Sequence, residues 1–316
     1  MLFEAWPGRI GRGGRKTCAS WQEGEMKIGV AAFLTEKSGS PGTIAAAAER
    51  AGFESFWVAE HLVIPASYTT YYQRSPDGKV PEFYAHLADP FVALAIAAQA
   101  TSHIRIGTSV CLLPERNPIE TAKAAATLDM YSGGRLMLGV GAGWFPEEAA
   151  IMGVDFKRRW RHLRESVEAM RELWSKPEAS YQGEIIKFPP VRLFPKPVQK
   201  PCPPIFLGAH DPGPALKRVA RWADGWMPGG LSPEKAEECI PRIKTMAREN
   251  GRDPERMEFS VMLGIGVQQT PSPDALKRYA AAGISRVIML AAEMAARDGV
   301  KVVGELAPLV ERAVRI

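Results

Sequence analysis

The sequence predicts a (β/α)8 TIM barrel, an α/β fold in which eight parallel strands alternate with eight helices. From Met26 onward, short apolar runs rich in β-branched residues alternate with longer helical stretches, and this strand–helix repeat occurs eight times. Apart from one insertion, no predicted strand directly follows another, which is typical of parallel sheets. A doubly wound sheet is the competing architecture, but it usually has fewer repeats, and the chain shows no change in composition that would divide it into two sheets.

Each repeat has its own signals in the sequence. Asp89-Pro90 and Asn117-Pro118 combine a capping side chain with a proline suited to the first helical position, and Gly52 follows the first helix as a C-terminal glycine. Tyr181–Phe194, with its turn at Gly183, is predicted to be a hairpin inserted after the fourth repeat. The predicted strands are Lys27–Phe33, Phe53–Ala59, Ile104–Leu112, Arg135–Val140, Pro204–Gly208, Asp224–Met227, Glu258–Val267 and Arg286–Leu290. The predicted helices are Gly42–Ala51, Asp89–Ala100, Asn117–Met130, Arg158–Trp174, Pro214–Trp222, Pro233–Glu249, Asp274–Ala282 and Val300–Val314.

The composition of the chain indicates which cellular compartment and which kinds of partner to expect. The net charge is +5, but lysine and arginine are spread along the whole chain, which indicates a solvated surface and no nucleic-acid partner. No apolar run approaches the roughly 18 residues that a membrane helix needs, so we expect no membrane partner. The four cysteines are too scattered for a disulfide framework or a zinc site, which predicts reduced thiols in a cytoplasmic enzyme.

The first 25 residues differ from the rest of the chain. They are rich in glycine and arginine and hold no apolar stretch long enough for a signal peptide. We expect residues 1–25 to be a disordered leader or extension, and residues 26–316 to form one barrel domain.

In a barrel of this kind, functional groups gather where strands end and the following loops begin. His61 stands at the exit of the second predicted strand, and imidazole is the side chain whose ordinary pKa lies nearest to neutral pH. His61 is therefore either a proton donor or acceptor beside a cofactor, or a hydrogen-bonded pocket residue with no proton role. His103 and His162 are expected at structural positions.

A long loop follows His61 and extends to Asp89. Loops of this length in compact domains are often lids or binding segments. Its aromatic residues either face an apolar substrate or a ring cofactor, or anchor the loop to the barrel. Its aromatic and imidazole residues are Tyr68, Tyr71, Tyr72, Phe83, Tyr84 and His86.

Three other strand exits carry small or polar residues. Small residues around Ser109 and Val110 allow a flat ring to approach the backbone, although ordinary strand packing explains them equally. Gly208, Ala209 and His210 precede a predicted helix, which suits an anion, or alternatively serve turn geometry only. The turn formed by Gly141, Ala142 and Gly143 presents backbone N–H groups, but it lacks the third glycine of a dinucleotide fingerprint. No hydrolase or metal-site motif is present in the sequence, so we expect no metal.

Several of these motifs, taken in order, resemble the luciferase-like monooxygenase superfamily. The resemblance is strongest to the branch that uses the deazaflavin coenzyme F420, and it spans about Lys27 to Trp226. The motifs that carry it are Ala59-Glu60-His61, the LLPERNP segment, Thr127-Leu128-Asp129, Ser132–Leu136 followed by GVGAGW, the RRWRHLRESVEAMRELW helix, and Trp222–Trp226.

The resemblance implies roles for particular residues. The position of His61 lies beside the cofactor ring and moves a proton, and relatives carry a cis peptide bond between the residues that match Ser109 and Val110. The turn at residues 141–143 matches one that lines the ring or its tail, and Gly208 and Ala209 match a phosphate-contacting turn. Trp144 stands where sugar-phosphate dehydrogenases of the superfamily have a glutamate, so a more apolar substrate is expected.

Three functions are compatible with the resemblance. The first is an oxidoreductase that moves a hydride between F420 and a small organic substrate. The second is an FMN-dependent monooxygenase that receives reduced flavin from a separate reductase and consumes O2. The third is a flavin-binding barrel with no catalytic activity. Relatives often pair through barrel helices, so a homodimer is expected.

Overall fold

The computed structural model describes residues 26–73, 75–210, 212–264 and 270–313, so the predicted leader at residues 1–25 lies outside the described part. Within that part, eight parallel strands close into a barrel, which confirms the predicted fold class. Around the barrel the order is β1, β2, β3, β4, β7, β8, β9, β10 and back to β1. The barrel strands are β1 (Lys27–Ala32), β2 (Ser55–Val58), β3 (Arg105–Leu112), β4 (Leu136–Gly141), β7 (Ile205–Leu207), β8 (Gly225–Trp226), β9 (Glu258–Leu263) and β10 (Arg286–Ala291).

Helices follow the strands, and the predicted caps form. The side chain of Asp89 accepts hydrogen bonds from the N–H groups of Phe91 and Val92, and Asn117 caps the next helix in the same way. None of the helices in the described part is long and apolar enough to cross a membrane. The helices are α1 (Pro41–Arg50), α2 (Pro90–Ala100), α3 (Pro118–Ser132), α4 (Pro146–Ile151), α5 (Arg159–Ser175), α6 (Pro214–Trp222), α7 (Pro233–Glu249), α8 (Pro273–Ala281) and α9 (Gly299–Ala313).

The structure departs from the sequence prediction at two places. Helix α4 was not predicted, because six residues are too few to show a helical period of apolar residues. Strand β9 ends at Leu263, earlier than the predicted Val267, and residues 265–269 lie outside the described part. The inserted hairpin is confirmed, with β5 (Ala179–Gln182) antiparallel to β6 (Lys187–Val191) between α5 and β7.

Large side chains fill the interior of the barrel. Trp57 and Phe206 meet edge to face, with ring centroids 6.1 Å apart, and Met137, Met227 and Ile288 pack in the same cluster. A second and larger core lies between the outer surface of the strands and the helices. The barrel is thus a packed core and not a pore, and its interior, as far as the described residues form it, leaves no room for a ligand.

A buried ion pair closes the amino-terminal end of the barrel. The guanidinium of Arg286, at the start of β10, donates to both carboxylate oxygens of Glu54 at 2.8 and 2.9 Å, and Arg286 is fully buried. Burial opposes ionisation of Glu54, but the charge of Arg286 outweighs it and lowers the pKa of Glu54 from 4.5 to about 2. The stability that this pair contributes is therefore present above pH 4.5 and is lost as the pH falls from 4.5 towards 2.

We expect Glu54→Gln to lower the free energy of unfolding by about 3 kcal/mol, because it leaves the buried guanidinium of Arg286 with only the partly exposed Glu258 as a counter-charge. Urea unfolding at neutral pH measures this change. Glu178→Gln is the matched control, because Glu178 pairs with Arg192 at the exposed surface and should change stability by at most about 1 kcal/mol. Equal effects of the two substitutions would show that the buried pair is not a main support of the barrel.

Candidate active site

A cavity of about 660 Å³ opens at the carboxyl-terminal ends of the strands. It brings together residues from several strand exits that are far apart in the sequence. Six of the predicted site residues line it: His61, Ser109, Val110, Gly208, Ala209 and His210. The other three, Gly141, Ala142 and Gly143, are not among its lining residues and lie behind the wall, next to Trp144, which does line it.

His61 makes a buried hydrogen bond with Glu148. Its Nδ1 lies 2.6 Å from Oε2 of Glu148, and the two side chains are only 5% and 1% exposed. Because a carboxylate only accepts, Nδ1 carries the proton, and Nε2 of the neutral ring is an acceptor. Nε2 is therefore the atom of His61 that can take up a proton.

Helix α4 places Glu148 at this position. Glu148 lies in the first turn of α4, and its Oε1 accepts hydrogen bonds from the backbone N–H groups of Leu62 at 2.9 Å and Val63 at 3.3 Å. One carboxylate thus holds both the imidazole and the backbone that follows it. This arrangement fixes the orientation of His61 and stabilises an imidazolium if one forms.

Trp144 covers the free nitrogen of His61. Its indole N–H donates to Nε2 of His61 at 3.3 Å, and its ring stacks on Phe145 at a centroid distance of 4.8 Å. Tyr84 lies on the other side of the imidazole, with ring centroids 4.9 Å apart. A substrate that binds Nε2 must therefore displace the indole N–H of Trp144.

The long loop after His61 folds over the cavity, and its aromatics have two roles. Tyr72 and Tyr84 join through their hydroxyls at 2.9 Å, and both line the cavity. Tyr68 instead anchors the loop, because its ring packs on Phe145 at 5.2 Å and its hydroxyl accepts from the N–H of Val80. Tyr72 and Tyr84 thus face the cavity, whereas Tyr68 anchors the loop to the barrel.

Glu147 fastens the same loop to α4. Its carboxylate accepts hydrogen bonds from the N–H groups of Thr69 and Thr70 at 2.8 and 3.0 Å, and from both threonine hydroxyls. Adjacent glutamates of one short helix therefore hold the loop and the imidazole separately.

Val110 projects into the cavity at an irregularity of β3. The register of β3 against β4 shifts between Thr108 and Cys111, and the peptide bond between Ser109 and Val110 is cis, as the resemblance predicts. A side chain at Gly208 would meet Cγ1 of Val110 at 2.5 Å, so only glycine lets the β7 exit pack against it. Val110 thus forms a raised wall between two strand exits.

The turn after β7 is fixed by hydrogen bonds. The indole N–H of Trp226 donates to the carbonyl of Ala209 at 3.0 Å, and Nδ1 of His210 lies 2.5 Å from the carbonyl of Gly229. Helix α6 begins shortly after this turn, at Pro214. The turn therefore presents backbone groups and one imidazole at the edge of the cavity, near the amino end of a helix.

Sequence reasoning missed two glutamates that organise the site. Glu148 is the partner of His61, and Glu60 accepts hydrogen bonds from the N–H of Leu112 at 2.8 Å and from Nε of Arg116 at 2.5 Å. Arg116 also pairs with Asp89, so this network connects the second and third strand–helix repeats. The only available signal for Glu148 was Pro146 followed by two acidic residues, a pattern of helix N-termini.

Comparisons with known proteins agree with this geometry. The chain matches the family described as luciferase-like monooxygenase over residues 35–310. An uncharacterised protein of Mycobacterium tuberculosis is 36% identical over 285 residues, which cover 89% of this chain and 98% of the relative. The F420-dependent glucose-6-phosphate dehydrogenase of Amycolatopsis mediterranei is 33% identical over 224 residues, 69% of this chain and 62% of that enzyme.

One further relative and one solved structure are similar to this chain. The oxygenase component of the flavin-dependent trigonelline monooxygenase of Acinetobacter baylyi is 30% identical over 218 residues, 68% of this chain and 55% of that protein. A solved F420-dependent secondary alcohol dehydrogenase has the same fold, with a TM-score of 0.68 at 20% identity over 89% of this chain and 99% of that one. The chain therefore belongs to the luciferase-like monooxygenase family of oxidoreductases, which includes F420-dependent and flavin-dependent enzymes.

Proposed function

We propose that this oxidoreductase transfers a hydride between coenzyme F420 and a small apolar alcohol or carbonyl compound, with His61 as the proton acceptor or donor. The proposal depends on one observation: Glu148 orients His61, which lies in the wall of an otherwise largely apolar cavity, so that its Nε2 is the nitrogen free to accept a proton. Oxidation of an alcohol needs a base at its oxygen, and a carboxylate-bound imidazole is suited to that task.

The protein contributes proton transfer and exclusion of water. In the oxidative direction, Nε2 of His61 accepts the hydroxyl proton of the substrate, and Glu148 stabilises the resulting imidazolium. Trp144 gives up its hydrogen bond to Nε2 when the substrate binds. F420, when bound, supplies the hydride acceptor, and the redox chemistry is its own.

The described residues fit such a cofactor. Val110, with the glycine of the β7 exit packed behind it, offers a firm support for one face of a flat ring. Gly208 and Ala209 would contact the cofactor phosphate, with the amino end of α6 as a further donor. His210 would donate from Nε2 only as the imidazolium, because its Nδ1 proton is directed at the carbonyl of Gly229. The turn at residues 141–143 would support the ring from behind.

The lining favours an uncharged substrate. Phe33, Leu87 and Leu290 join the aromatic residues around His61 in the cavity wall. Among the described residues, no lysine or arginine lines the cavity, and the carboxylate of Glu60 is already paired with Arg116. A phosphorylated sugar would therefore lose hydration without gaining an ionic partner here.

A second candidate is an FMN-dependent monooxygenase supplied by a separate reductase. The family description and the trigonelline monooxygenase relative favour it, because both refer to monooxygenase chemistry. A third candidate, a barrel that binds a flavin without catalysis, leaves the ordered His61–Glu148 pair without a use.

We expect His61→Ala to lower kcat about 100- to 10,000-fold, because it removes the proton acceptor, while the affinity for F420 stays unchanged. Glu148→Gln should lower kcat in the same direction by a smaller factor, since it removes the charge that stabilises the imidazolium. Steady-state kinetics and fluorescence titration of F420 measure both quantities. His103→Ala, at an exposed position, is the control. Full activity of His61→Ala would show that His61 is not the proton acceptor, whereas binding of the cofactor with no turnover by the wild type would favour the non-catalytic barrel.

The cofactor is tested by supplying each candidate to the purified chain. We expect turnover of small secondary alcohols with F420, and none of glucose 6-phosphate, because no lysine or arginine among the described residues lines the cavity. With reduced FMN and O2 we expect no oxygenated product. Substrate-dependent oxygen consumption that requires reduced FMN, together with no binding of F420, would replace the first candidate by the second.

We also propose that the chain forms a homodimer. Support comes from Val92 and Ile96, which are 62% and 44% exposed on α2; Ile96 also lines a shallow apolar groove between α1 and α2. Sedimentation velocity should give the mass of two chains, and the double variant Val92→Glu, Ile96→Glu should give one. Val300→Glu, at another exposed apolar side chain, should remain dimeric. A monomeric wild-type chain would contradict the proposal.

A further inference from the structure

Glu115 is a buried carboxyl group with no assigned role. It ends the short 3-10 turn that follows β3 and is only 4% exposed. Neither of its carboxylate oxygens has a hydrogen-bond partner among the described residues. An ionised carboxylate in such a position is costly, so the group must be neutral or must serve a purpose that justifies the cost.

Glu115 lies directly behind the turn that carries Trp144. Its Oε1 lies 2.7 Å from the position that a Cβ at Gly143 would occupy, and Gly143 has a φ of +77°, which also favours glycine. The carboxyl group thus fills the space that a side chain at position 143 would need. Trp144, the next residue, donates to Nε2 of His61.

Two further carboxylates face Glu115, and each has partners of its own. Glu60 is bound by Arg116 and the N–H of Leu112, and Glu148 is bound by His61 and two backbone N–H groups. Burial, followed by the negative charges of Glu148 and Glu60, raises the pKa of Glu115 from 4.5 to about 8.

The other elements packed against this turn do not offset those charges. Strand β4 carries no titratable side chain, and Glu120 and Lys123 of α3 are exposed. On α5, Arg159 donates its Nε to the carbonyl of Gly143, and burial lowers the pKa of His162. Among Glu60, Glu115 and Glu148, Glu115 is therefore the one whose carboxyl group has neither a counter-charge nor a hydrogen-bond donor within the described residues.

We infer that Glu115 is a positioning residue, a buried acid behind the Gly143–Trp144 turn that controls how firmly His61 holds its proton. The inference rests on the proposed proton-transfer role of His61. While Glu115 is neutral, the charge around the imidazole comes from Glu148 and the compensated Glu60, and His61 can release its proton. Ionisation of Glu115 adds an uncompensated negative charge, which favours the imidazolium and withdraws the base from the reaction.

The charge state of Glu115 is tested first, by thermal unfolding of the full chain between pH 5 and pH 9. A carboxyl group whose folded pKa is raised binds more protons in the folded state, so its contribution to stability falls as the pH rises. The Tm of Glu115→Gln should match that of the wild type at pH 5 and exceed it increasingly towards pH 9. Glu115→Leu should show the same trend, and Glu120→Gln, at an exposed position, should show none. A Tm difference independent of pH would overturn the inference.

The coupling to His61 is tested by NMR titration of protein labelled with ¹⁵N-histidine, with the His61 signals assigned by their loss in His61→Asn. In the wild type we expect the His61 signals to report a step near pH 8, where Glu115 ionises. In Glu115→Gln the titration should have a single step. Identical His61 titrations in the two proteins would refute the coupling. Because neither measurement needs cofactor or substrate, their outcome is independent of whether the proposed reaction is observed.

Discussion

The hydrogen bond between His61 and Glu148 is the interaction on which the arrangement of this site depends. It is buried, and it joins the exit of β2 to the first turn of α4 across 87 residues of sequence. The same carboxylate binds the backbone after His61, so the imidazole cannot turn without breaking its hydrogen bond to a carboxylate that two backbone N–H groups hold in place. Its Nε2 is consequently held towards the cavity, where Trp144 and Tyr84 surround it.

Buried carboxylates are used differently at the two ends of the barrel. At the amino-terminal end, Glu54 meets Arg286 in a bidentate pair, and the ionised form is strongly favoured. At the carboxyl-terminal end, Glu60 is neutralised by Arg116, whereas Glu115 has no ion-pair partner within the described ranges, and its pKa is raised. Charge contributes to stability at the first end, whereas at the second end a titratable charge lies near the imidazole that we propose moves a proton.

The sequence was sufficient for the barrel and for the positions of most lining residues. Alternation of β-branched strands with capped helices is a local pattern, and strand exits in a parallel barrel converge on one rim, which is why His61, Val110 and Gly208 meet. Glu148 could not be predicted in the same way, because α4 has only six residues and its contact with His61 depends on how two distant loops fold. The choice between F420 and FMN also lies beyond the sequence, since both cofactors present a similar ring to the same wall.

The most direct test of the account is a crystal structure of the chain with F420 and a small secondary alcohol bound. We expect the alcohol oxygen to lie within hydrogen-bond distance of Nε2 of His61, in place of the indole N–H of Trp144. We expect the cofactor ring to lie against Val110. A structure in which the alcohol binds away from His61, with the Trp144 contact intact, would contradict it.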